Sequence, residues 1–201
     1  MTLPMDRRAQ LLSRIVEALL ERGAADLSLR PLAERVGTSA RLLIYHFGSK
    51  EQLVAAALAE VRAHIGASLR TRASEVQPQT LSALIMMVWA WATETRNQPY
   101  FRLLFEVDGL AMFDRLSFSD EVRRANSDVW ITLIDRAAGR LAQGGELFSA
   151  HSTLILGAFS GLLQERLSTG DEARTTQALR TLVDLITQGA AAPTEQQGHR
   201  P

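Results

Sequence analysis

The sequence predicts an all-α chain of about nine helices, a small three-helix unit followed by a larger helical body. Three observations predict it. Apolar residues recur at three- and four-residue spacing through almost every segment. No stretch alternates convincingly with period two, and no two-residue hairpin turn separates apolar runs. Gly23 and Gly37, Pro31, Pro78 and Pro99, and the cap-forming Ser28, Ser39 and Ser49 fall at or near the ends of periodic segments.

Composition bounds the class. The chain has 201 residues, 46% of them apolar, enough for a packed core. No apolar run approaches the ~18 residues of a membrane span, and the opening MTLPMDRRAQLL lacks the apolar stretch of a signal peptide. With no cysteine there is no disulfide, thiolate chemistry or Cys-based zinc site. A cytoplasmic protein without membrane contact is the simplest reading. Net charge is zero, yet residues 1–72 carry 11 Lys/Arg against 7 Asp/Glu (+4), and residues 73–201 carry 11 against 15 (−4). That asymmetry is compatible with a basic head that meets phosphates and an acidic body that avoids them.

The first helix is expected from about Asp6 to Arg22, with Leu11, Leu12, Ile15, Leu19 and Leu20 in one stripe and Gly23 ending it. Ser28 is the expected cap of a second helix, with Pro31 in its first turn and Leu32, Ala33 and Val36 facing inward. Gly37 makes the turn that follows. Ser39 caps a very short third helix through His46, and Ser49-Lys50-Glu51-Gln52 reads as a capping box opening a fourth helix to about Arg72. Two short helices around a glycine turn are the layout that places one helix in a DNA major groove.

Beyond residue 72, a helix is expected from Pro78 to near Asn97 and another from Pro99. An apolar loop is expected over Gly109 to Ser119, then a helix from Ser119 to about Ala142 ended by Gly144 and Gly145. Helices over Ser149 to Leu167 and Asp171 to Gln188 complete the body, and the Ala/Pro/Gln/Gly tail is expected to be disordered.

These residues resemble the N-terminal domain of the tetracycline-repressor (TetR-type) family of bacterial transcription regulators. The resemblance rests on the amphipathic first helix, Leu32-Ala33, Val36-Gly37, Ser39, His46-Phe47, and Ser49-Lys50-Glu51 with Leu53. It implies a helix-turn-helix DNA-binding domain over residues 1–50, a helical effector-binding and dimerisation domain over 51–189, and a tail over 190–201. It implies a homodimer on a near-palindromic double-stranded DNA operator, most simply a repressor released by a small effector, with no resident cofactor or metal. A constitutive regulator without effector and a ligand-dependent activator are the alternatives.

The DNA-binding residues so implied are Thr38, Ser39, Ala40, Arg41, Tyr45, His46 and Lys50. Arg41 either bridges guanine O6 and N7 or touches phosphate alone. Lys50 joins its charge to the free N–H groups of a helix start, suiting phosphate. Ile44 stands where most members of the family carry a Tyr that contacts the DNA backbone. Tyr45, one residue later, either meets phosphate or packs against the first helix. His46 orients the turn or contacts phosphate, and Phe47 and Leu43 belong to the core.

The effector pocket is expected among Met86, Trp89, Phe101, Phe105, Met112, Phe113 and Trp130, with Glu94, Asp108 and His151 as orienting polar groups; an apolar lining suits an apolar or aromatic ligand. Residues of these types at helical spacing serve equally as plain core. The last two helices are the expected dimer contact, through Leu154, Ala158, Gly161, Leu162 and Glu165 and through Leu179, Leu182, Val183 and Ile186. Gly157 and Gly161 allow close helix approach, in the partner or locally. Catalysis finds no footing. Ser160 in Gly157-Ala158-Phe159-Ser160-Gly161 lies one place too late for a nucleophile elbow, and the four histidines are scattered at 46, 64, 151 and 199.

Overall fold

A computed structural model describes residues 7–118, 130–132, 134 and 149–191. Among them are eight helices and no strand: α1 Arg7–Arg22, α2 Leu29–Arg35, α3 Ala40–Phe47, α4 Lys50–Val76, α5 Leu81–Thr93, α6 Gln98–Met112, α7 Ser149–Thr169 and α8 Glu172–Ala191. Of the helix expected over Ser119 to Ala142, only residues 130–132 and 134 are described, and they are helical. The rest of it, the Gly144-Gly145 break, the tail beyond residue 191 and the side chain of His151 lie outside the described residues.

Helix boundaries follow from caps and breakers, and they correct several expectations. Helix α4 continues four residues past Arg72 because nothing opposes it until Gln77. That residue precedes Pro78, which disfavours the α conformation, and it adopts a left-handed one with φ 48°. Helix α5 starts at Leu81 and not at Pro78, since Thr80 Oγ1 accepts the N–H of Ala83 at 3.1 Å. It stops at Thr93, short of Asn97, whose buried amide donates to the Trp91 carbonyl at 2.7 Å. Gly109 to Met112 belong to α6, so the expected loop is confined, within the described residues, to the stretch from Phe113.

The chain forms two compact units, residues Met1–Gln77 with Ala90–Trp130, and residues Pro78–Trp89 with Ile131–Pro201. In the first, α4 is the spine. Leu53, Ala57, Val61 and Ile65 recur every fourth residue, with Val54 and Leu58 beside them, and all are buried. Leu11, Ile15 and Leu19 of α1 are buried in the same unit, as are Leu32 and Ala33 of α2, Leu43 and Phe47 of α3, and Leu103 and Val107 of α6. Burying a side chain of this size contributes about 1.5–3 kcal/mol. In the second unit, α7 and α8 pack together with Ile155, Leu163, Leu179 and Val183 buried. Trp89 joins that unit by donating Nε1–H to Thr176 Oγ1 at 3.1 Å and setting its ring edge-on to Phe159, 5.4 Å between centroids.

Candidate nucleic-acid interface

Helices α2 and α3 are joined by Val36 to Ser39. Gly37 has φ +70°, in the left-handed region where a Cβ is penalised, which lets the chain reverse over three residues. Ser39 takes an extended conformation, and its Oγ accepts the N–H of Leu42 at 3.2 Å. Ser28 also stands at an N-cap, of α2, but its side chain makes no capping bond, so only its backbone serves. Ser49 Oγ accepts the N–H of Gln52 at 3.1 Å and starts α4, leaving Lys50 as the first helical residue.

The eight residues of α3 divide by face. Leu43 and Phe47, four apart, are buried. Arg41, Ile44 and Tyr45 point outward, with Ile44 40% and Tyr45 80% exposed. The exposure of Tyr45 excludes its packing against α1 as a core residue; its ring meets only the edge of His46 in the ring contacts described, at 5.2 Å. Ser39 is exposed, while Ala40, His46 and Lys50 are half-buried. Thr38 differs from its neighbours. Its N–H donates to the Ala33 carbonyl at 2.8 Å, and its buried Oγ1 has no hydrogen-bond partner among the described residues.

Two arginines of α1 brace this arrangement, and neither was singled out from the sequence. Arg14 Nη1 donates to the Val36 carbonyl at 3.2 Å, at the end of α2. Arg8 Nε donates to the His46 carbonyl at 3.3 Å, and its guanidinium carbon lies 5.1 Å from the centre of the Phe47 ring. Both place positive charge against the carbonyl-rich end of a helix, which the helix dipole favours. The sequence signal was weak: two arginines six apart on an otherwise amphipathic helix.

A short, capped, braced helix whose outer face holds a guanidinium, a phenol and an aliphatic side chain, flanked by a lysine, can read base edges and grip phosphates. Residues 11–57 match the family model described as bacterial regulatory proteins, tetR family. Residues 11–57 are a DNA-binding domain of the tetR type. This regulator is 26% identical over 199 residues to the HTH-type transcriptional regulator BetI of Paraburkholderia xenovorans strain LB400, covering 90% of this chain and 91% of that protein. Its fold is shared with a transcriptional regulator from Rhodococcus sp. Rha1, with TM-score 0.71, 19% identity, and 94% and 100% of the two chains covered. It is shared also with the multidrug binding protein EbrR complexed with imidazole, with TM-score 0.67, 16% identity, and 95% and 93% covered. A chain carrying this domain is a DNA-binding regulator of transcription and not an enzyme.

The regulator's other candidate residues fall in several places. Trp89 is buried and Met86 half-buried in the second unit. Phe101 is buried against Trp91 in the first, with Phe105 and Trp130 half-buried there. Met112 and Phe113 are 79% and 80% exposed. None of these seven lines the cleft of about 290 Å³ between α1 and α6, whose walls include Leu19, Leu20, Pro99, Leu103 and Glu106. Glu94 is engaged by Arg96 at 2.7 Å and Arg72 at 3.9 Å. Burial lowers the pKa of the Arg62 guanidinium, and the field of Asp108 opposes that shift.

Of the residues expected at a dimer contact, Leu179 and Val183 are buried inside their own unit. Leu154 and Gly161 are exposed, and Ala158, Leu162, Glu165, Leu182 and Ile186 are half-buried. Glu165 pairs with Arg174 at 2.6 Å. A Cβ built on Gly157 or Gly161 would meet nothing within 4 Å, so neither glycine serves close packing among the described residues. No group of three His, Asp or Glu suited to a metal occurs among the described residues, and none of their helices is long and apolar enough to cross a membrane.

Proposed function

We propose that the chain is a homodimeric, cytoplasmic transcriptional repressor that binds a near-palindromic operator and is released by a small, largely apolar effector. The observation that carries the DNA-reading part is the outward face of α3, with Arg41, Ile44 and Tyr45 exposed over a buried Leu43 and Phe47. In this reading Arg41 bridges guanine O6 and N7, and Ile44 meets a thymine methyl. Ile44 thereby makes an apolar base contact where most of the family uses tyrosine on the backbone. Tyr45, His46 and Lys50 hold phosphates, and Ser39 and Ala40 let the helix end approach closely. Thr38 joins them only after its hydroxyl rotates outward.

Residues 1–50 form the reading head, 51–189 the effector and dimerisation domain, and 190–201 a tail. The exposed Leu154 and the open space over Gly157 and Gly161 support an α7 face that meets a second copy, with Ala158, Leu162, Glu165, Leu182 and Ile186 around it. Leu179 and Val183 support that face from behind. The unbroken α4 is the transmitter, because an effector acts only by favouring one head spacing over another.

The test is capture of fragmented genomic DNA from the source organism on the purified protein at moderate salt. Enrichment of a near-palindrome is the expected result; binding without sequence preference refutes the reading. The packing of Trp89 and Phe101 within their own units favours one second reading, a constitutive regulator without effector. A rise in melting temperature with a cognate ligand separates the two, about 2.7 kcal/mol of stabilisation at a hundredfold excess over Kd. Loss or gain of operator binding with that ligand separates repressor from ligand-dependent activator.

A further inference from the structure

Within the first unit, Glu106 on α6 reaches a part of the chain more than eighty residues away. Its Oε2 accepts the N–H of Ala24 at 2.7 Å, and its Oε1 accepts the N–H of Ala25 at 3.0 Å. Both donors sit in the turn that leaves α1 toward α2. A carboxylate taking two adjacent backbone N–H groups makes paired, charge-assisted bonds, stronger and more directional than neutral ones. Gly23, one residue before, has φ +77°, and a Cβ there would lie inside van der Waals contact of the same carboxylate. The glycine is thus required twice, by the backbone and by the side chain set against it.

The two ends of α1 do different work. Its first half holds the ends of α2 and α3, through Arg14 on the Val36 carbonyl and Arg8 on the His46 carbonyl. Its last turn faces α6 across the cleft walled by Leu19, Leu20, Pro99 and Leu103, where Glu106 supplies the polar bonds. A negative side chain beside the C-terminal end of a helix is unfavourable by itself. It is held here because it passes the helix end and meets the free N–H groups of the following turn.

We propose that Glu106 is a positioning residue for DNA recognition, a joint that fixes the α1–α2 turn to α6 and so sets the spacing of the two reading heads in a dimer. The proposal rests on the homodimeric, two-half-site reading given above. It separates two properties that a general loss of stability would change together. How one α3 seats in one half-site depends on the first half of α1, whereas how two heads span two half-sites depends on the joint.

The experiment titrates wild type, Glu106→Gln and Glu106→Ala against two duplexes: the selected full operator, and the same duplex with one half-site scrambled. Melting curves accompany the titrations, and the isosteric Gln variant guards against misfolding of the Ala variant. Affinity for the full operator is expected to fall between about 5- and 150-fold, the range of coupling between linked sites, with half-site affinity kept within about twofold. Equal losses on both duplexes, or no loss on the full operator, overturn the proposal. A wild type that does not prefer the full operator refutes the dimeric reading itself and removes the proposal with it.

Discussion

Replacing Arg8 and Arg14 by alanine, singly and together, tests whether α1 seats the reading helix. Arg14 Nη1 donates to the Val36 carbonyl at 3.2 Å, and Arg8 Nε to the His46 carbonyl at 3.3 Å. A well-formed hydrogen bond from a charged donor contributes about 1.5–3 kcal/mol. These two are long and their side chains exposed, so solvent screening reduces each to about 1 kcal/mol or less. Arg8 adds its placement 5.1 Å from the centre of the Phe47 ring, worth about 0.5 kcal/mol at an exposed site. In a chain of this length a loss of 1 kcal/mol lowers the melting temperature by about 2–4 °C. The two losses are expected to add, because the arginines hold carbonyls of different helices. Thermal unfolding by circular dichroism reads the stability, and titration of a half-site duplex reads the function. Affinity should fall on half-site and full operator alike, the opposite pattern to that of Glu106. Arg14→Lys should recover part of the loss, since lysine keeps the charge without the fork. Melting within about 1 °C of wild type with unchanged half-site affinity in the double variant would refute the reasoning.

Further outcomes are expected elsewhere. Arg41→Ala should relax sequence preference, costing about 1–3 kcal/mol on the operator and little on random DNA; equal losses on both would remove its role in base reading. Lys50→Ala should weaken all DNA alike and reduce the salt slope by about 0.9, the share of one phosphate, as read from titrations across salt concentrations. Ser39→Ala should cost about 1 kcal/mol of stability, whereas Ser28→Ala should cost almost nothing, since only Ser39 makes a side-chain cap. Asp171 caps α8, and the backbone N–H of Arg174, then its side chain, hold the carboxyl below its ordinary 3.8. A depressed carboxyl stabilises the fold above that value and loses the effect as pH falls through its folded value. The melting difference between wild type and Asp171→Ala should therefore be constant near neutrality and vanish in strong acid.

The legible parts of the site share one property, that their causes lie within a few residues. Ser39 caps α3 through Leu42, Gly37 turns the chain with its own φ, and Leu43 and Phe47 share a face because they are four apart. The departures are equally local once seen. Helix α5 begins at Leu81, after Thr80 and not at Pro78, because the Thr80 hydroxyl accepts a free N–H of its first turn. Helix α6 runs on to Met112 because Gly109 lowers helix propensity without breaking the helix.

Sequence alone determined the helical class, the order of the head helices, the Ser39 and Ser49 caps, and the inward pair Leu43 and Phe47, since caps, turns and periodicity act over four residues or fewer. Tertiary structure decided which apolar residues are covered and which polar groups meet. Trp89 and Phe101 are buried while Met112 and Phe113 stand exposed, although the four residue types and their spacing look alike. Leu179 and Val183 turn into their own unit, and Leu154 turns out of it. Arg8, Arg14 and Glu106 find carbonyls and N–H groups 22 to 82 residues away. Which stripe of a helix is covered depends on the neighbour packed against it, and distance along the chain carries no record of that neighbour.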